Sequence, residues 1–226
     1  MPIVNARLSV DPIVSSYHRA WDRDYASRGR VWGGGVKDLP RLPACSRVLE
    51  LGCGDGKTLA AMPCGWEKVA LDVSPQALRL ARRAGTDASF ILADASSLPL
   101  ANDRFDAVFA FHVAGHLLAK QRAALAREAL RVLQPGGRLF FRDFASDDMR
   151  AGKGEMVEPG TYLRKNGIIT HFFDEDEAKG LFSGLMPEAV TTHSWRLLVR
   201  GEEMQRAEVQ AAFLKVPANI LNRLGP

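Results

Sequence analysis

The sequence is poor in cysteine. Among 226 residues it has three, Cys45, Cys53 and Cys64, and no two of them form a Cys-x-x-Cys pair. An odd number of cysteines without such spacing argues against a disulfide-stapled secreted fold and against a cysteine-ligated zinc site. We therefore expect no metal and no disulfide framework.

The sequence also lacks a long hydrophobic run. Its most apolar stretch, residues 105–119, is interrupted by Asp106, His112 and His116, which makes it too short and too polar to cross a bilayer. The opening residues, MPIVNARLSVDPIV, lack the basic segment and apolar core of a secretory signal peptide. We expect a protein that does not enter a membrane and that works in the cytoplasm.

The sequence has only a small excess of positive charge, which is too small to identify a binding partner. The chain has 30 Lys and Arg residues against 26 Asp and Glu residues, a formal net charge of +4. An excess of this size is compatible with an anionic partner without requiring one. With 46% hydrophobic and 25% charged residues, the composition is that of a folded chain large enough for one domain with a complete core.

From residue 47 onward, apolar runs typical of strands alternate with segments of helical periodicity. Ser74 is typical of a helix N-cap, and Pro75 would occupy the first helical position. Such alternation is typical of a parallel sheet with helices on both faces. The pattern predicts strands over 47–51, 69–72, 90–93, 105–111 and 138–142 and helices over 57–62, 75–84 and 119–133.

The last third of the chain has a different pattern. Asn166 and Gly167 separate two short runs, 161–165 and 168–173, which is a strong hairpin signal. The remaining elements predicted are a helix over 174–181 and strands over 190–199 and 209–216. The predicted fold class is α/β: a Rossmann-like doubly wound sheet, mostly parallel with an antiparallel edge strand, plus an N-terminal helical cover and a small hairpin insertion after the fifth strand. We expect the cover over residues 1–45, the main domain over 46–216 with the insertion at about 145–173, and a tail over 217–226.

Three glycines follow the first predicted strand in the segment ELGCGDGKT, residues 50–58. A phosphate-binding P-loop needs a glycine five positions before Gly-Lys-Thr, and Leu51 occupies that position. A dinucleotide fingerprint needs its third glycine where Lys57 stands. Glu50 and Asp55 would moreover repel a pyrophosphate. A nicotinamide-dependent reductase is therefore a distant alternative.

Acidic residues end three successive predicted strands, namely Glu50, Asp72 and Asp94. The carboxyl ends of parallel strands meet at one edge of the sheet, so we expect these carboxylates to line one crevice. The carboxylate of Asp72 can accept hydrogen bonds from both ribose hydroxyls. The carboxylate of Asp94 can accept a hydrogen bond from the amino group of adenine. The acidic lining also suits the ammonium and sulfonium groups of S-adenosylmethionine, which carries no phosphate.

Five segments carry a family resemblance in their order and spacing: VLELGCGDG at 48–56, ALDVS at 70–74, ADASSLPL at 93–100, FDAVFAFHV at 105–113 and LRVLQPGGRLFFRDF at 130–144. Together they resemble the class I S-adenosylmethionine-dependent methyltransferases of the type 11 subgroup. The resemblance covers residues 47–144 and implies that residues 46–216 form a methyltransferase domain with S-adenosylmethionine as cofactor. In addition, WDRDYASRGRVWGG, residues 21–34, is similar to the lead segment of many such enzymes.

The resemblance implies nine cofactor-contacting residues. They are Glu50, Gly52 and Gly54 at the methionine part, Asp72 and Val73 at the ribose, Asp94 and Ala95 at the adenine, Phe111 on the pocket wall, and Trp32 as a cover.

A second resemblance follows the fifth predicted strand. Arg142-Asp143, GTYLRKNG at 160–167, THFFDEDE at 170–177 and WRLLVRG at 195–201 are similar to the C-terminal part of RNA 3-methylcytidine methyltransferases. FHVAGHL, residues 111–117, departs from that family. The resemblance implies an RNA acceptor such as tRNA, with acceptor-binding residues Arg142, Asp143, Tyr162 and Arg164.

Two residues are candidates for catalysis. The N3 atom of cytosine has a free lone pair and needs positioning only, which Asp143 could provide by accepting from the exocyclic amine. A hydroxyl or thiol acceptor would need a base, and His116 is the better placed of the two histidines after the fourth strand. The acceptor thus stays open between an RNA base and a small metabolite. A catalytically silent partner subunit of the same fold is a third hypothesis, disfavoured by the intact glycine loop and carboxylates.

Overall fold

The computed structural model describes residues 4–5, 12–29, 36 and 38–217. The predicted cover residue Trp32 and the end of the predicted tail, 218–226, lie outside these residues. The strands of the described part are β1 Val4–Asn5, β2 Arg47–Leu51, β3 Glu67–Asp72, β4 Ser89–Leu92, β5 Phe105–Phe111, β6 Leu133–Phe144, β7 Glu155–Glu158, β8 Thr161–Leu163, β9 Ile169–His171, β10 Met186–Val199 and β11 Glu202–Leu214.

Eight of these strands form the central sheet, in the order β1-β4-β3-β2-β5-β6-β11-β10. Neighbours from β1 to β6 are parallel, and β11 runs antiparallel to both β6 and β10. The cores of β2, β3 and β5 are near-continuous buried apolar runs, as parallel strands covered on both faces require. The predicted mostly parallel, Rossmann-like sheet is confirmed, and its antiparallel strand lies one place in from the edge.

Five helices and one 3₁₀ turn are described: α1 Pro12–Arg28, α2 Lys57–Ala61, α3 Pro75–Arg83, α4 Ala119–Val132, α5 Glu175–Leu181 and the turn Ala114–His116. Ser74 caps α3 as predicted, since its hydroxyl accepts from the N–H of Ala77 at 3.1 Å. One face of the sheet packs against α4 and α5 around Phe141, Phe182 and Phe213. The other face carries the second core cluster, which contains residues of α2 and α3.

The structure adds detail that the pattern did not predict. Val4–Asn5 extends the sheet next to β4, so the N-terminal segment contributes a strand as well as the predicted helix. The hairpin β8–β9 gains a third strand, β7. β11 begins at Glu202 rather than 209, because Arg200 and Gly201 form a two-residue turn with φ of 54° and 87°.

Candidate active site

The glycine loop after β2 requires glycine at two positions. Gly52 and Gly54 have left-handed φ values of 67° and 54°, which only glycine adopts without strain. A Cβ atom on Gly52 would lie 2.8 Å from Cγ2 of Val113, and one on Gly54 would lie 2.5 Å from the hydroxyl oxygen of Tyr25. The loop is therefore shaped by its backbone and by neighbours that approach it closely.

Glu50 lies next to this loop, on β2, and is 3% exposed. Its Oε2 atom has no hydrogen-bond partner among the described residues. Burial raises the pKa of Glu50 to about 8; a hydrogen bond with Thr58 opposes this rise, and the charges of Asp72 and Asp55 add to it. A cationic ligand group would favour the charged carboxylate, because opposite charges stabilise each other at short distance.

Asp72 ends β3 and links the glycine loop to α3. Its Oδ2 accepts from the N–H of Gly54 at 2.9 Å, and its Oδ1 accepts from the N–H of Ser74 at 2.8 Å. Burial raises the pKa of Asp72 to about 6, although these hydrogen bonds act to lower it. Each oxygen can accept a further hydrogen bond, so the pair is suited to ribose hydroxyls.

Asp94 follows β4 and contacts the helical cover. Its Oδ1 accepts from the N–H and the hydroxyl of Ser96 at 2.8 and 2.7 Å. Its Oδ2 lies 3.4 Å from Nε2 of His18 on α1. Burial lowers the pKa of His18, against the opposing effect of Asp94. A neutral His18 thus contacts the carboxylate that we predicted for adenine.

Helix α1 covers the strand ends. Its side chains on the cavity are Tyr17, His18, Trp21 and Tyr25. Asp22 attaches the helix to the start of α3, since its Oδ1 accepts from the hydroxyl of Ser74 at 2.8 Å and from the N–H of Gln76 at 3.0 Å.

Between α1 and the strand ends lies a cavity whose empty space, counted together with its open mouth, is about 730 Å³. Of the predicted cofactor residues, its wall contains Gly52, Asp72, Val73, Asp94 and Ala95. Glu50 and Gly54 lie next to the wall without forming part of it. Phe111 lies elsewhere: its ring packs edge-on against Phe109 at 5.5 Å and under the guanidinium of Arg142 at 4.9 Å.

The glycine-loop end of this cavity, here called the donor end, is acidic. Asp55 lies in the loop and is buried, and its Oδ2, like Oε2 of Glu50, has no hydrogen-bond partner among the described residues. Unpaired buried carboxylates are costly and are relieved by a cation. The residues present therefore fit the predicted adenosyl cofactor with its ammonium and sulfonium groups.

The part of the cavity beside Val113, here called the acceptor end, contains two histidines. His112 has a φ of 53°, a strained value for a residue with a Cβ, and its N–H donates to the carbonyl oxygen of Arg142 at 2.7 Å. Its ring packs on Phe144 at 4.7 Å, and its Nδ1 has no hydrogen-bond partner among the described residues. Burial, together with His116 and nearby arginines, lowers the pKa of His112 to about 3.

His116 also lines the cavity. Its Nδ1 lies 2.7 Å from the carbonyl oxygen of Ile169, which assigns the proton to Nδ1 and leaves the lone pair on Nε2. Trp21 packs against the ring at 4.7 Å. Burial lowers the pKa of His116 to about 4, although the hydrogen bond with Ile169 acts to raise it. His116 is thus neutral at physiological pH and can accept a hydrogen bond from a ligand.

Asp143 is fully buried beneath the 3₁₀ turn. Its Oδ2 accepts from the N–H of Gly115 at 2.7 Å and its Oδ1 from the N–H of Phe144 at 3.1 Å. Burial raises the pKa of Asp143 to about 7, against these two bonds. Asp143 is absent from the described cavity wall, and the contacts it makes position the turn that carries His116.

The other predicted acceptor-binding residues lie off the described cavity wall. Arg142 lies on β6 over Phe111. Arg164 lies after β8, over Phe172 at 5.9 Å. Tyr162 packs against the same Phe172 ring at 6.1 Å. The contact of these three residues with an acceptor remains a prediction.

Several cavity residues were missed from the sequence. They are Tyr17, His18, Trp21 and Tyr25 on α1 and Val113, Leu117, Leu118 and Gln121 after β5. A usable signal existed for α1: Tyr17, Trp21 and Tyr25 recur every four residues, which places three aromatic rings on one helix face.

Two further findings concern ligand classes. Among the described residues, no group of three or more His, Cys, Asp or Glu side chains is arranged to hold a metal ion. No helix in the described part of the chain is long and apolar enough to span a bilayer.

Comparisons with known proteins agree with the predicted fold class and with the methyltransferase resemblance. Residues 49–141 match a family model described as a methyltransferase domain. A tRNA N(3)-cytidine methyltransferase from Gallus gallus is 26% identical over 163 residues, 65% of this chain and 44% of that protein. A 2-methyl-6-phytyl-1,4-hydroquinone methyltransferase from Synechocystis is 31% identical over 185 residues, 76% of this chain and 55% of that protein.

A solved structure described as a SAM-dependent methyltransferase from Methanosarcina mazei has a TM-score of 0.63 and 24% identity, covering 79% of this chain and 99% of that one. This likeness concerns the fold alone. The chain spans about half the length of the two curated relatives, 44% and 55%.

Proposed function

We propose that the chain, whose residues 49–141 match a methyltransferase domain, is an S-adenosylmethionine-dependent methyltransferase that transfers the methyl group to a ring nitrogen of an RNA base, of the cytidine N3 type. The observation that carries the proposal is a single cavity with unlike ends. The donor end presents carboxylates, and the acceptor end presents two neutral histidines with arginines behind them.

Transfer from a sulfonium is an in-line displacement, for which the cofactor supplies the activated methyl group and the protein supplies alignment. At the donor end, the described contacts hold the glycine loop rigid: Asp72 accepts from Gly54 and Ser74. Helix α1 covers one side of the cavity with Tyr17, Trp21 and Tyr25. No proton has to leave a cytosine N3 atom, so a protein with two low-pKa histidines can still act on it.

The acceptor end offers hydrogen-bond partners suited to a base edge. Nε2 of His116 carries a lone pair and can accept from an exocyclic amine, while Nδ1 is held by Ile169. The ring of Trp21, edge-on to His116, offers an aromatic surface on which a base can stack. Curated relatives that act on tRNA cytidine support this acceptor class.

A second acceptor class is supported by the apolar wall. Trp21, Val113, Leu117 and Leu118 give the cavity a mainly apolar surface, which also suits a small aromatic or aliphatic acceptor. A relative named as a hydroquinone methyltransferase is 31% identical to this chain over 185 residues. For a hydroxyl acceptor His116 would have to act as the base.

The test is incubation of the protein with labelled S-adenosylmethionine and, separately, bulk tRNA and a small-molecule extract, followed by mass spectrometry of nucleosides and metabolites. We expect label in a methylated cytidine. Label in a metabolite only, with loss of activity by orders of magnitude in His116→Ala, would replace the RNA acceptor with a hydroxyl or thiol. A wild type that binds S-adenosylmethionine no better than Asp72→Ala, measured by calorimetry, would favour a silent partner subunit.

A further inference from the structure

Four arginines converge behind the acceptor end and are called here the arginine cluster: Arg142, Arg150, Arg164 and Arg206. The guanidinium carbon of Arg150 lies 3.7 Å from the centroid of the Phe144 ring, and that of Arg206 lies 5.5 Å from the same centroid. Arg164 donates to the carbonyl oxygen of Arg150 at 2.8 Å. Cations on one aromatic ring gain from its quadrupole but repel one another.

Carboxylates compensate this charge only in part. Asp148 is fully engaged, because its Oδ1 accepts from Nε of Arg150 at 2.8 Å and its Oδ2 from Nε of Arg206 at 2.7 Å. Glu208 lies 3.5 Å from Nε of Arg142. That Nε atom is buried and has no hydrogen-bond partner among the described residues. Asp143 is a third carboxylate near the cluster, since its charge acts on Arg150. Four guanidinium groups thus face three carboxylates, and Nε of Arg142 remains an unused donor.

The cluster adjoins the cavity, although none of its four arginines lies on the described cavity wall. The ring of Phe144 separates Arg150 from His112 by one layer, since His112 packs on Phe144 at 4.7 Å. Burial is the main reason for the low pKa of His112, and Arg142, Arg150 and Arg206 add to it. Burial is also the main reason for the low pKa of His116, and the charges of Arg150 and Arg164 lower it further. The two histidines at the acceptor end thus face the field of the cluster.

We propose that the arginine cluster is an anion subsite, which takes a phosphate group of the acceptor while the adjoining base lies between His112, His116 and Trp21. Guanidinium groups offer paired N–H donors that match the oxygens of a phosphate. The cavity is then matched at both ends, with carboxylates for the cationic donor and arginines for the anionic acceptor. The inference rests on the proposed function and names the chemistry that selects its substrate.

The test measures binding without turnover, on protein saturated with S-adenosylhomocysteine. Cytidine and cytidine 5′-monophosphate are titrated by calorimetry, and inorganic phosphate is titrated and followed by ³¹P NMR. We expect the monophosphate to bind about tenfold more tightly than cytidine at low salt, and the ratio to shrink as salt is added. Inorganic phosphate should bind by itself and compete with the monophosphate.

Two variants with the same change of charge locate the effect. Arg142→Gln removes the cation whose Nε atom has no hydrogen-bond partner among the described residues and lies 3.5 Å from Glu208, and we expect the preference for the monophosphate to fall to about one. Arg196→Gln is the matched control, because Arg196 lies on β10, is 69% exposed and pairs with Glu203; it should keep the preference. Arg150→Lys retains the charge and loses the paired donors, and should lower the preference in part. Unchanged affinity for S-adenosylhomocysteine verifies that each variant is folded.

The outcomes separate the hypotheses. Equal affinity for cytidine and its monophosphate, no binding of phosphate, or equal losses in Arg142→Gln and Arg196→Gln would each overturn the subsite. A cytidylate trimer that binds about tenfold more tightly than the monophosphate would identify a strand phosphate as the source; equal binding would identify a free nucleotide. Methylation of cytidine without any phosphate preference would leave the proposed function standing and remove the subsite, whereas phosphate preference without methylation of RNA would do the reverse.

Discussion

At the scale of the residue, Glu50 is the group that most clearly relates stability to binding. It is buried, its Oε2 has no hydrogen-bond partner among the described residues, and burial raises its pKa to about 8. Because the folded-state pKa lies above that of the unfolded chain, the unliganded protein loses stability as pH rises from about 4.5 towards 8. Burial favours the protonated form of Glu50, and a cation at the donor end reverses this preference because it stabilises the charged carboxylate.

Glu50→Gln should therefore separate the two properties. We expect the variant to be more stable than the wild type at pH 8 without ligand, by on the order of 2 kcal/mol, and to bind S-adenosylmethionine more weakly. In the wild type the affinity for S-adenosylmethionine should rise between pH 6 and pH 8, where the pKa values of Asp72 and Glu50 lie.

Calorimetry across this pH range, together with denaturant unfolding, measures both effects. The ligand's own titration is common to the two proteins, so the difference between their pH profiles belongs to residue 50. Parallel profiles, or a variant less stable at pH 8, would show that Glu50 carries no unfavourable charge.

At the scale of the element, helix α1 is the part of the site that depends most on long-range contacts. Its attachment to α3 consists of two hydrogen bonds to one oxygen of Asp22, from Ser74 and Gln76. On the far side of α1, Cβ of Ala20 lies 3.4 Å from the position a Cβ atom on Gly167 would take, in the turn before β9. The helix is thus held between α3 and the hairpin by few polar contacts.

Asp22→Ala should loosen α1 without touching the ligand. Each lost hydrogen bond contributes about 1 kcal/mol, so we expect S-adenosylmethionine to dissociate about tenfold faster. Stopped-flow fluorescence of the protein, which has Trp21 in the cavity, measures the rate. Asp22→Asn keeps an acceptor oxygen at the same place and should lie close to the wild type; two variants with identical, unchanged rates would mean that α1 does not retain the ligand.

The elements also show which parts of the fold could be predicted. The carboxylates at the ends of β2 and β3 and the one after β4 were predictable, because apolar runs locate the strands and parallel topology aligns their ends. The contacts of α1 were not, because Asp22 and Ser74 are 52 residues apart and no local pattern encodes their pairing. The strand β7 is largely exposed and lacks the alternation that identifies a strand. The early start of β11 was missed because the polar residues after Gly201 resemble a loop.

At the scale of the whole molecule, the cavity is bounded by parts of the chain that lie far apart in sequence. α1, the strand ends, the 3₁₀ turn and the insertion all contribute to it or support it. A ligand in this cavity therefore joins the N-terminal helix, the sheet and the insertion. Its binding free energy adds to the stability of the entire described fold rather than to one element.

S-Adenosylhomocysteine at about one hundred times its dissociation constant should stabilise the protein by about 2.7 kcal/mol. For a chain of this size that corresponds to a rise in Tm of about 5–11 °C. Differential scanning calorimetry measures the shift.

Gly54→Ala is the control for this shift, since a Cβ atom there would meet the hydroxyl of Tyr25 and strain a left-handed residue. We expect the variant to show a lower Tm and no shift with ligand. A wild type whose Tm does not respond to the ligand would contradict the assignment of the cavity.

The position of α1 above the donor end has a kinetic consequence. We expect the spent cofactor to leave past α1 through the open mouth of the cavity, so that movement of this helix limits its departure. A first round of product would then form rapidly, and later rounds would wait on the departure of S-adenosylhomocysteine. Pre-steady-state measurements would record this as a burst of methylated product, and the amplitude of the burst would equal the concentration of active sites.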